Sequence, residues 1–482
     1  MNKPLRRAAI FCLALILALM GWATWIQGAK ASDYKEDPHN PRVAIGKYSA
    51  PLGNILVGGE PVTGSAATDS TLKYKRTYKD GPMYAPVTGF TSQIYGSNQL
   101  ESLYGDLLDG SDSRLQSPVD ALTRERAKGG DVATTIDPKV QQAGYRALGG
   151  KKGAAVAMDP ATGRILGMVS TPSYDPGKFA GSSGADQKAW QKLSDDPDSP
   201  EVNRALRQPL PPGSTFKLVV AAAALENGLY SSVDEPTDSP DPYTLPHTSK
   251  KLPNENASAP CKNANIRTAL QYSCNTVFGK MAVDLGKDKV KAQAEKLGFN
   301  DGKVDTPVRA AKSVFPGDMD DAQTALSGIG QFNDQATPLQ MAMVSAAIQN
   351  GGELKTPQLV DKLTDGGGNT VQENSPKTYR KAMSGRTAEQ LRSAMQTVVD
   401  KGTGAGAKID GLTVGAKTGT AQHGVDNSGT PYAWFVSYAE DGKGHQVAVA
   451  VMVEDGHAAR NEVSGNGLAG PIARAMMKAA LQ

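Results

Sequence analysis

The sequence predicts an α+β fold, on three observations. Strand-like runs stand at both ends of the segment from Gly153 to the C-terminus, and helical runs lie between them. Three short polar groupings, Ser214-Thr215-Phe216-Lys217, Ser273-Cys274-Asn275 and Lys417-Thr418-Gly419-Thr420, fall at a helix start, inside a helical stretch and on a strand. Strands from both ends of a segment meet in one sheet when the intervening helices pack on it, which places a site where helix meets sheet.

The first element is apolar. Lys3, Arg6 and Arg7 precede about twenty-two uncharged residues, Ala8 to Ala29, enough for one membrane-spanning helix of about twenty residues. Trp22 and Trp25 suit the membrane interface, and the basic flank predicts a cytoplasmic N-terminus with everything from about Lys30 outside. A cleaved signal peptide is the rival reading, because Ala29-Lys30-Ala31 resembles an A-x-A site. Signal h-regions run to roughly 7–15 residues, so the longer run favours a retained anchor.

Ser32 to Pro51 is polar and Pro-rich and reads as a linker. A first globular region then runs to about Gly150. It mixes short alternating stretches such as Gly53 to Val57 with turn clusters, and Leu100 to Leu108 has apolar residues at helical spacing. No catalytic grouping stands out there, so its expected role is structural support. The organisation read from the chain is 1–29 tail and anchor, 30–150 linker and non-catalytic pedestal, and 151–482 the segment bearing the three groupings.

From Gly153 the pattern sharpens. Ala154 to Met158 and Arg164 to Val169 flank Asp159-Pro160-Ala161-Thr162-Gly163, a hairpin with its turn. Helices are predicted near Thr215–Leu225, Ile266–Leu285, Val290–Leu297 and Thr337–Gln349. Three strands follow at Leu412–Ala421, Ala433–Tyr438 and Gln446–Val453, and a last helix covers about Pro471–Leu481.

The groupings carry chemistry. Lys217 lies one helical turn beyond Ser214, on the same face, where it supplies a base for the hydroxyl. Pro211-Pro212-Gly213 before Ser214 is a helix-start signal, and N–H groups at a helix start favour developing negative charge. Ser273 and Asn275 add a hydroxyl and an amide. Lys417, Thr418 and Thr420 add a cation and two hydroxyls, with Gly419 where backbone must approach a ligand. A lone lysine on a strand is ordinarily solvated; the setting argues otherwise for Lys417.

Bulk properties exclude other classes. With 52 basic and 49 acidic residues, a net charge of +3 leaves no electrostatic footprint for nucleic acid. The five histidines are scattered without metal-ligand spacing, so no metal or other cofactor is expected. Gly411 to Thr418 resembles a phosphate-binding loop but has Ala416 where Gly must precede the lysine. Gly465 to Gly470 fits G-x-G-x-x-G but lies too near the C-terminus for a βαβ unit.

With these residues in order, the chain resembles the class B penicillin-binding proteins, monofunctional peptidoglycan D,D-transpeptidases, whose motif trio is shared with class A β-lactamases. The resemblance covers nearly the whole chain. Thr135 to Gln141 is similar to the family's segment leading into the catalytic domain, and Gly163 to Ser170 with Tyr174-Asp175-Pro176 to its opening hairpin. Gly328-Ile329-Gly330-Gln331, Thr337 to Ala342 and Ala433 to Val436 are similar to stretches around the third motif. Within the family the likeness is greatest to the actinobacterial penicillin-binding protein A group. One departure is Pro51 to Ile55, which stands where many relatives carry R-G-x-I, so no arginine role is carried over there.

The resemblance implies a penicillin-binding and serine β-lactamase-like domain, an antiparallel sheet with helices on both sides. It implies that Ser214 is acylated by D-Ala–D-Ala stem peptides or β-lactams, that Lys217 takes the proton, that Ser273 relays one, and that Asn275 orients Lys217 and the substrate amide. Lys417, Thr418, Gly419 and Thr420 would bind substrate, the lysine and hydroxyls holding the terminal carboxylate. The N–H groups of Ser214 and Thr420 would form the oxyanion hole. About 120 residues between anchor and catalytic domain are too few for a glycosyltransferase and a linker, so a SEDS-type membrane glycosyltransferase and other wall-synthesis proteins are the implied partners. Rival readings are a D,D-carboxypeptidase, a non-enzymatic β-lactam sensor or scaffold, and a β-lactamase; the last would need an E-x-x-L-N glutamate, and no such segment follows Asn275.

Cys261 and Cys274 are the cysteines outside the anchor, in a compartment expected to be oxidising. Cys274, between two cleft-facing residues, should point away from the cleft. A bridge and a pair of unrelated thiols both stay open, because sequence sets no Cα separation.

Overall fold

The structure, a computed structural model, describes residues 3–30, 41–115, 127–424, 427–458, 460 and 463–482. Its organising element is a five-stranded antiparallel sheet in the order Thr413–Ala421, Tyr432–Glu440, Gln446–Asp455, Lys152–Met158, Ile165–Thr171. The predicted hairpin and the three predicted C-terminal strands are therefore neighbours, and the two ends of the segment meet where Val451 pairs with Ala155.

The side-chain alternation of the strands sorts the helices. Val447, Val449, Val451 and Val453 pack with Ile472, Met476 and Met477 of the Gly470–Leu481 helix and with Val140 and Leu148 of Pro138–Leu148. Ala448, Ala450 and Met452 face the other way, into a core shared with the Pro338–Gln349 helix, all of whose residues are buried. Small side chains on that face let the helix lie close to the sheet. Two of its polar side chains reach the sheet backbone: Ser345 Oγ donates to Ser437 O at 2.8 Å and Gln349 Nε2 to Ala439 O at 2.9 Å. The Thr413–Ala421 strand pairs on one side only, with Tyr432–Glu440, and is a sheet edge.

Three local predictions are corrected. The helix expected over Ile266–Leu285 is two, Ile266–Tyr272 and Asn275–Leu285, because Ser273 turns left-handed (φ 60°, ψ 42°) and ends the first. The helical stretch Leu100–Leu108 breaks at Tyr104 into Gln99–Leu103 and Gly105–Leu108. The linker expected through Pro51 gives way to a helix at Pro41–Lys47, after which Tyr48 is buried, its hydroxyl donating to Ser92 O at 3.0 Å. Much of the predicted linker, residues 31–40, lies outside the described residues.

A second sheet was not read from the sequence. Val360–Thr364 and Thr370–Glu373 form a hairpin that joins Asp131–Thr134, Ile55–Val57 and Glu60–Pro61. It stitches a late segment of the chain onto the early region. Beside it Arg76 and Glu101 form a buried ion pair at 2.7 Å, and Arg76 also donates to Gly53 O at 2.6 Å. The N-terminal Lys3–Ala29 helix is long and apolar enough to cross a membrane, an 18-residue stretch of it having a mean hydropathy of 2.2, and no residue of the helix is buried against the protein.

Cys261 and Cys274 are joined in a disulfide, with Cα atoms 5.6 Å apart, and both are buried. A bridge closing a loop of about fourteen residues stabilises a chain by about 3 kcal/mol in the chain-entropy model. Denaturant titration of a Cys261→Ala, Cys274→Ala double variant lacking the N-terminal helix should show a loss of that order. An unchanged midpoint, or two thiols alkylated without reductant in the parent protein, would contradict the bridge.

Candidate active site

The turn that carries Ser214 is held by close backbone contact. Gly213 has φ 53°, and a Cβ there would lie 3.0 Å from Thr420 O, so the turn presses against the edge strand. Gly419 meets it from the other side: a Cβ there would lie 2.9 Å from Thr215 Cγ2 and 3.1 Å from Pro212 O. Gly419 was expected to let backbone approach a ligand; the space where a Cβ would stand is filled by the serine-bearing turn. Ser214 stands in a tight 3-10 turn, Gly213–Phe216, and Lys217 opens the α-helix Lys217–Glu226, two residues after the predicted start at Thr215. Ser214 is 5% exposed and lines a cavity of about 410 Å³.

Lys217 lies fully buried behind this turn. Its Nζ donates to Ser273 O and to Asn275 Oδ1, both at 2.7 Å, and lies 3.2 Å from Ser273 Oγ. These three oxygens can accept the three N–H groups of an ammonium, and they equally accommodate a neutral amine whose two N–H groups meet the carbonyl oxygens and whose lone pair takes the Ser273 hydroxyl proton. Burial holds its pKa well below the ordinary lysine range, the charge of Lys417 lowers it further, and Glu255 opposes both. Among the described residues, no hydrogen bond ends on Ser214 Oγ, as is common in sites awaiting substrate.

Ser273 joins the two lysines. Its Oγ accepts from Lys417 Nζ at 2.9 Å on the side opposite Lys217. A left-handed serine costs about 1–2 kcal/mol relative to the right-handed region, and several contacts hold it there. Cys274 N–H donates to Ala269 O at 2.8 Å, the disulfide ties Cys274 to Cys261, and Asn254 Oδ1 accepts from the N–H groups of Asn275 and Thr276 at 2.7 and 3.1 Å. Asn275 Nδ2 donates to Pro253 O at 3.1 Å, so its side chain bridges Lys217 and the Pro253 loop.

Lys417 is fully buried, with Nζ on Ser273 Oγ and on Thr418 O at 2.9 Å. Burial pushes its pKa down to about 7, with Glu255 opposing. Thr418 Oγ1 is paired with Thr403 Oγ1 at 2.9 Å, while Thr420 lines the cavity. Of the predicted site residues, Ser214, Asn275 and Thr420 line the cavity, and Lys217, Ser273 and Lys417 form a hydrogen-bonded layer beneath them. The cavity also has Leu252, Leu326, Ile329 and Phe332 on its walls, and Glu255 at its lip. Ile329 belongs to the Gly328–Gln331 stretch already read as similar to the family's; the others, and Asn254, were not singled out from the sequence, and only the fold brings them together.

Comparison with known proteins follows the same lines. A model of the penicillin binding protein transpeptidase domain matches residues 153–478, and one of the penicillin binding protein A dimerisation domain matches 52–132. The chain is similar to the peptidoglycan D,D-transpeptidase PbpA of Mycolicibacterium smegmatis, 39% identical over 100% of this chain and 99% of that protein. Among solved structures, penicillin-binding protein A from M. tuberculosis as a ceftriaxone acyl-enzyme complex superposes with a TM-score of 0.85 at 38% identity, covering 91% of this chain and 100% of that one. Its penicillin G acyl-enzyme complex gives 0.82 at 37% identity, over 89% and 99%.

Proposed function

The chain belongs to the penicillin-binding protein transpeptidases, and from that premise we propose how its own residues crosslink peptidoglycan stem peptides. It is a serine-type D,D-transpeptidase and a target of β-lactams. The proposed nucleophile is Ser214. Its Oγ attacks the D-Ala–D-Ala carbonyl of one stem, neutral Lys217 takes the hydroxyl proton, and the terminal D-Ala leaves with a proton relayed through Ser273. The resulting ester is attacked by an amine of a neighbouring stem, which forms the crosslink and returns the proton to Ser214 Oγ. A β-lactam acylates the same oxygen, but no leaving group departs to make room for the amine.

The observation that carries this reading is the Ser273 hydroxyl, hydrogen-bonded to both Lys217 and Lys417 beneath a cleft lined by Ser214. Two cations so close and so buried repel, which favours one neutral lysine at neutral pH. Lys217 is the lysine we take as neutral, since burial and the charge of Lys417 both lower its pKa. Lys417 keeps the charge that attracts the substrate carboxylate; being sealed behind Ser273, it acts through its field, with Thr420 nearest the ligand. N–H groups of Ser214 and Thr420 would stabilise the tetrahedral oxyanion, each donor being worth about 3–4 kcal/mol in other enzymes. An edge strand suits that role, because alternate N–H groups lack ladder partners. Incubation with a pentapeptide donor and an amine acceptor should give crosslinked dimer and free D-Ala. Release of D-Ala with no dimer would indicate a carboxypeptidase.

We assign residues 1–29 to tail and anchor, 30–150 to linker and pedestal, and 151–482 to the transpeptidase domain. The anchor orientation, N-terminus cytoplasmic and catalytic domain outside, rests on Lys3, Arg6 and Arg7 beside the apolar helix. Glycan polymerisation then falls to a partner, a SEDS-type membrane glycosyltransferase contacting the anchor and the 30–150 region together with other wall-synthesis proteins. The purified full-length protein should crosslink but not polymerise lipid II. Polymer formed by this chain alone would contradict the partner assignment.

A further inference from the structure

Among the described residues lining the active-site cavity, Glu255 is the only charged one. It is exposed to solvent and follows Asn254, whose side chain holds the N–H groups of Asn275 and Thr276, so its place is tied to the second motif. Among the described residues no cation pairs with it at salt-bridge distance. Its charge nonetheless reaches the interior, raising the pKa of both Lys217 and Lys417 against the effect of burial.

The sign of this charge is informative. The donor stem brings a carboxylate, which an acid at the cleft lip repels. Once D-Ala has left, the acyl-enzyme carries no such charge, and the next reactant is an alkyl amine with a pKa near about 10, cationic at neutral pH. Water, the competing nucleophile, is uncharged. A fixed carboxylate at the lip therefore selects between the two reactants that compete for the ester.

Resting on the transpeptidase reading of the site, we propose that Glu255 is a positioning residue for the acceptor, drawing the cationic amine of the second stem peptide into the cleft beside the Ser214 ester. The ammonium sheds its first proton to solvent through the open cleft. The free amine then forms the C–N bond as the C–Oγ bond of Ser214 breaks, and its second proton passes by way of Lys217 to Ser214 Oγ. The same attraction raises the amine's pKa, but nitrogen becomes positive again as the C–N bond forms, so the carboxylate stabilises that developing charge as it stabilises the bound ammonium and the two effects on kcat offset. The gain is in acceptor capture, so it is read in the acceptor KM.

The test partitions one acyl-enzyme between amine transfer and hydrolysis. A thioester stem-peptide donor and a mono-amine stem-peptide acceptor are titrated against the wild type, Glu255→Gln and Glu255→Asp. Glu255→Gln should raise the acceptor KM roughly tenfold, the scale of a partly screened charge pair, with kcat for transfer changed far less. Glu255→Asp should recover most of the loss. Added salt should lower the wild-type transfer-to-hydrolysis ratio and leave that of Glu255→Gln unchanged. An unchanged acceptor KM in Glu255→Gln would overturn the proposal while leaving the transpeptidase reading intact. An equal fall of transfer and hydrolysis would overturn it in favour of a general base for either nucleophile. A wild type that forms the acyl-enzyme but never transfers it would overturn both readings.

Discussion

Replacing Ser214 by alanine should abolish covalent labelling by a fluorescent penicillin and all turnover of stem-peptide donors. The loss is complete because no atom remains to carry the acyl group: the variant keeps Lys217, Ser273 and Lys417 but has no oxygen at the cleft surface to esterify. Non-covalent capture should survive, since the carboxylate site proposed on the Thr420 side is untouched. Folding should be nearly unaffected, because Ser214 Oγ carries no hydrogen bond among the described residues and its replacement by a methyl leaves no significant cavity. Gel fluorescence after denaturation separates the cases. Labelling that persists in Ser214→Ala would place the nucleophile elsewhere.

The second large effect is at Lys217. Lys217→Arg keeps a cation and hydrogen-bond donors but removes the lone pair, because a guanidinium does not deprotonate in proteins. Acylation should fall by about 10²–10⁴-fold, the scale of a lost general base. The pH profile carries the same argument with a definite sign. A base must be neutral, so kcat/KM should rise with pH as Lys217 passes through its depressed pKa, in place of the ordinary lysine range. It should fall again as Lys417 loses its proton at about 7, because that charge is the one proposed to attract the substrate carboxylate. Bound carboxylate favours the charged form of Lys417, so the falling limb of kcat should lie at higher pH than that of kcat/KM. A rate that climbs steadily into the alkaline range would contradict a depressed Lys217.

Much of this was legible in the sequence because it is written in local patterns. The hairpin at Lys152–Thr171 shows as two apolar runs around Asp159-Pro160 and Gly163, and the Gln446–Asp455 strand as a valine at every second position. Other features depend on distant contacts. Nothing near Ser273 announces a left-handed residue; that conformation is held by Asn254 and by the disulfide from Cys261. The hairpin at 360–373 shows no clean alternation, and its place in the second sheet depends on Asp131–Thr134, more than two hundred residues earlier. The site divides in the same way. Spacing paired Ser214 with Lys217 and Ser273 with Asn275, and the family resemblance put the pairs and Lys417 in one site; neither foretold that Lys417 would be sealed behind Ser273 or that Gly419 would pack against the serine-bearing turn. Glu255 reaches the cleft from a loop whose sequence contains no motif.

The most direct test of the central claim is a pulse and chase of the acyl-enzyme. The full chain is mixed with a D-Ala–D-Ala stem-peptide donor, sampled by rapid quench, and the adduct is mapped by tandem mass spectrometry before and after an amine acceptor is added. The expected result is a donor lacking its terminal D-Ala, esterified to Ser214, that disappears on the chase as an equal amount of crosslinked peptide forms. An adduct on another residue, or a Ser214 adduct lost only to water however much acceptor is present, would contradict it.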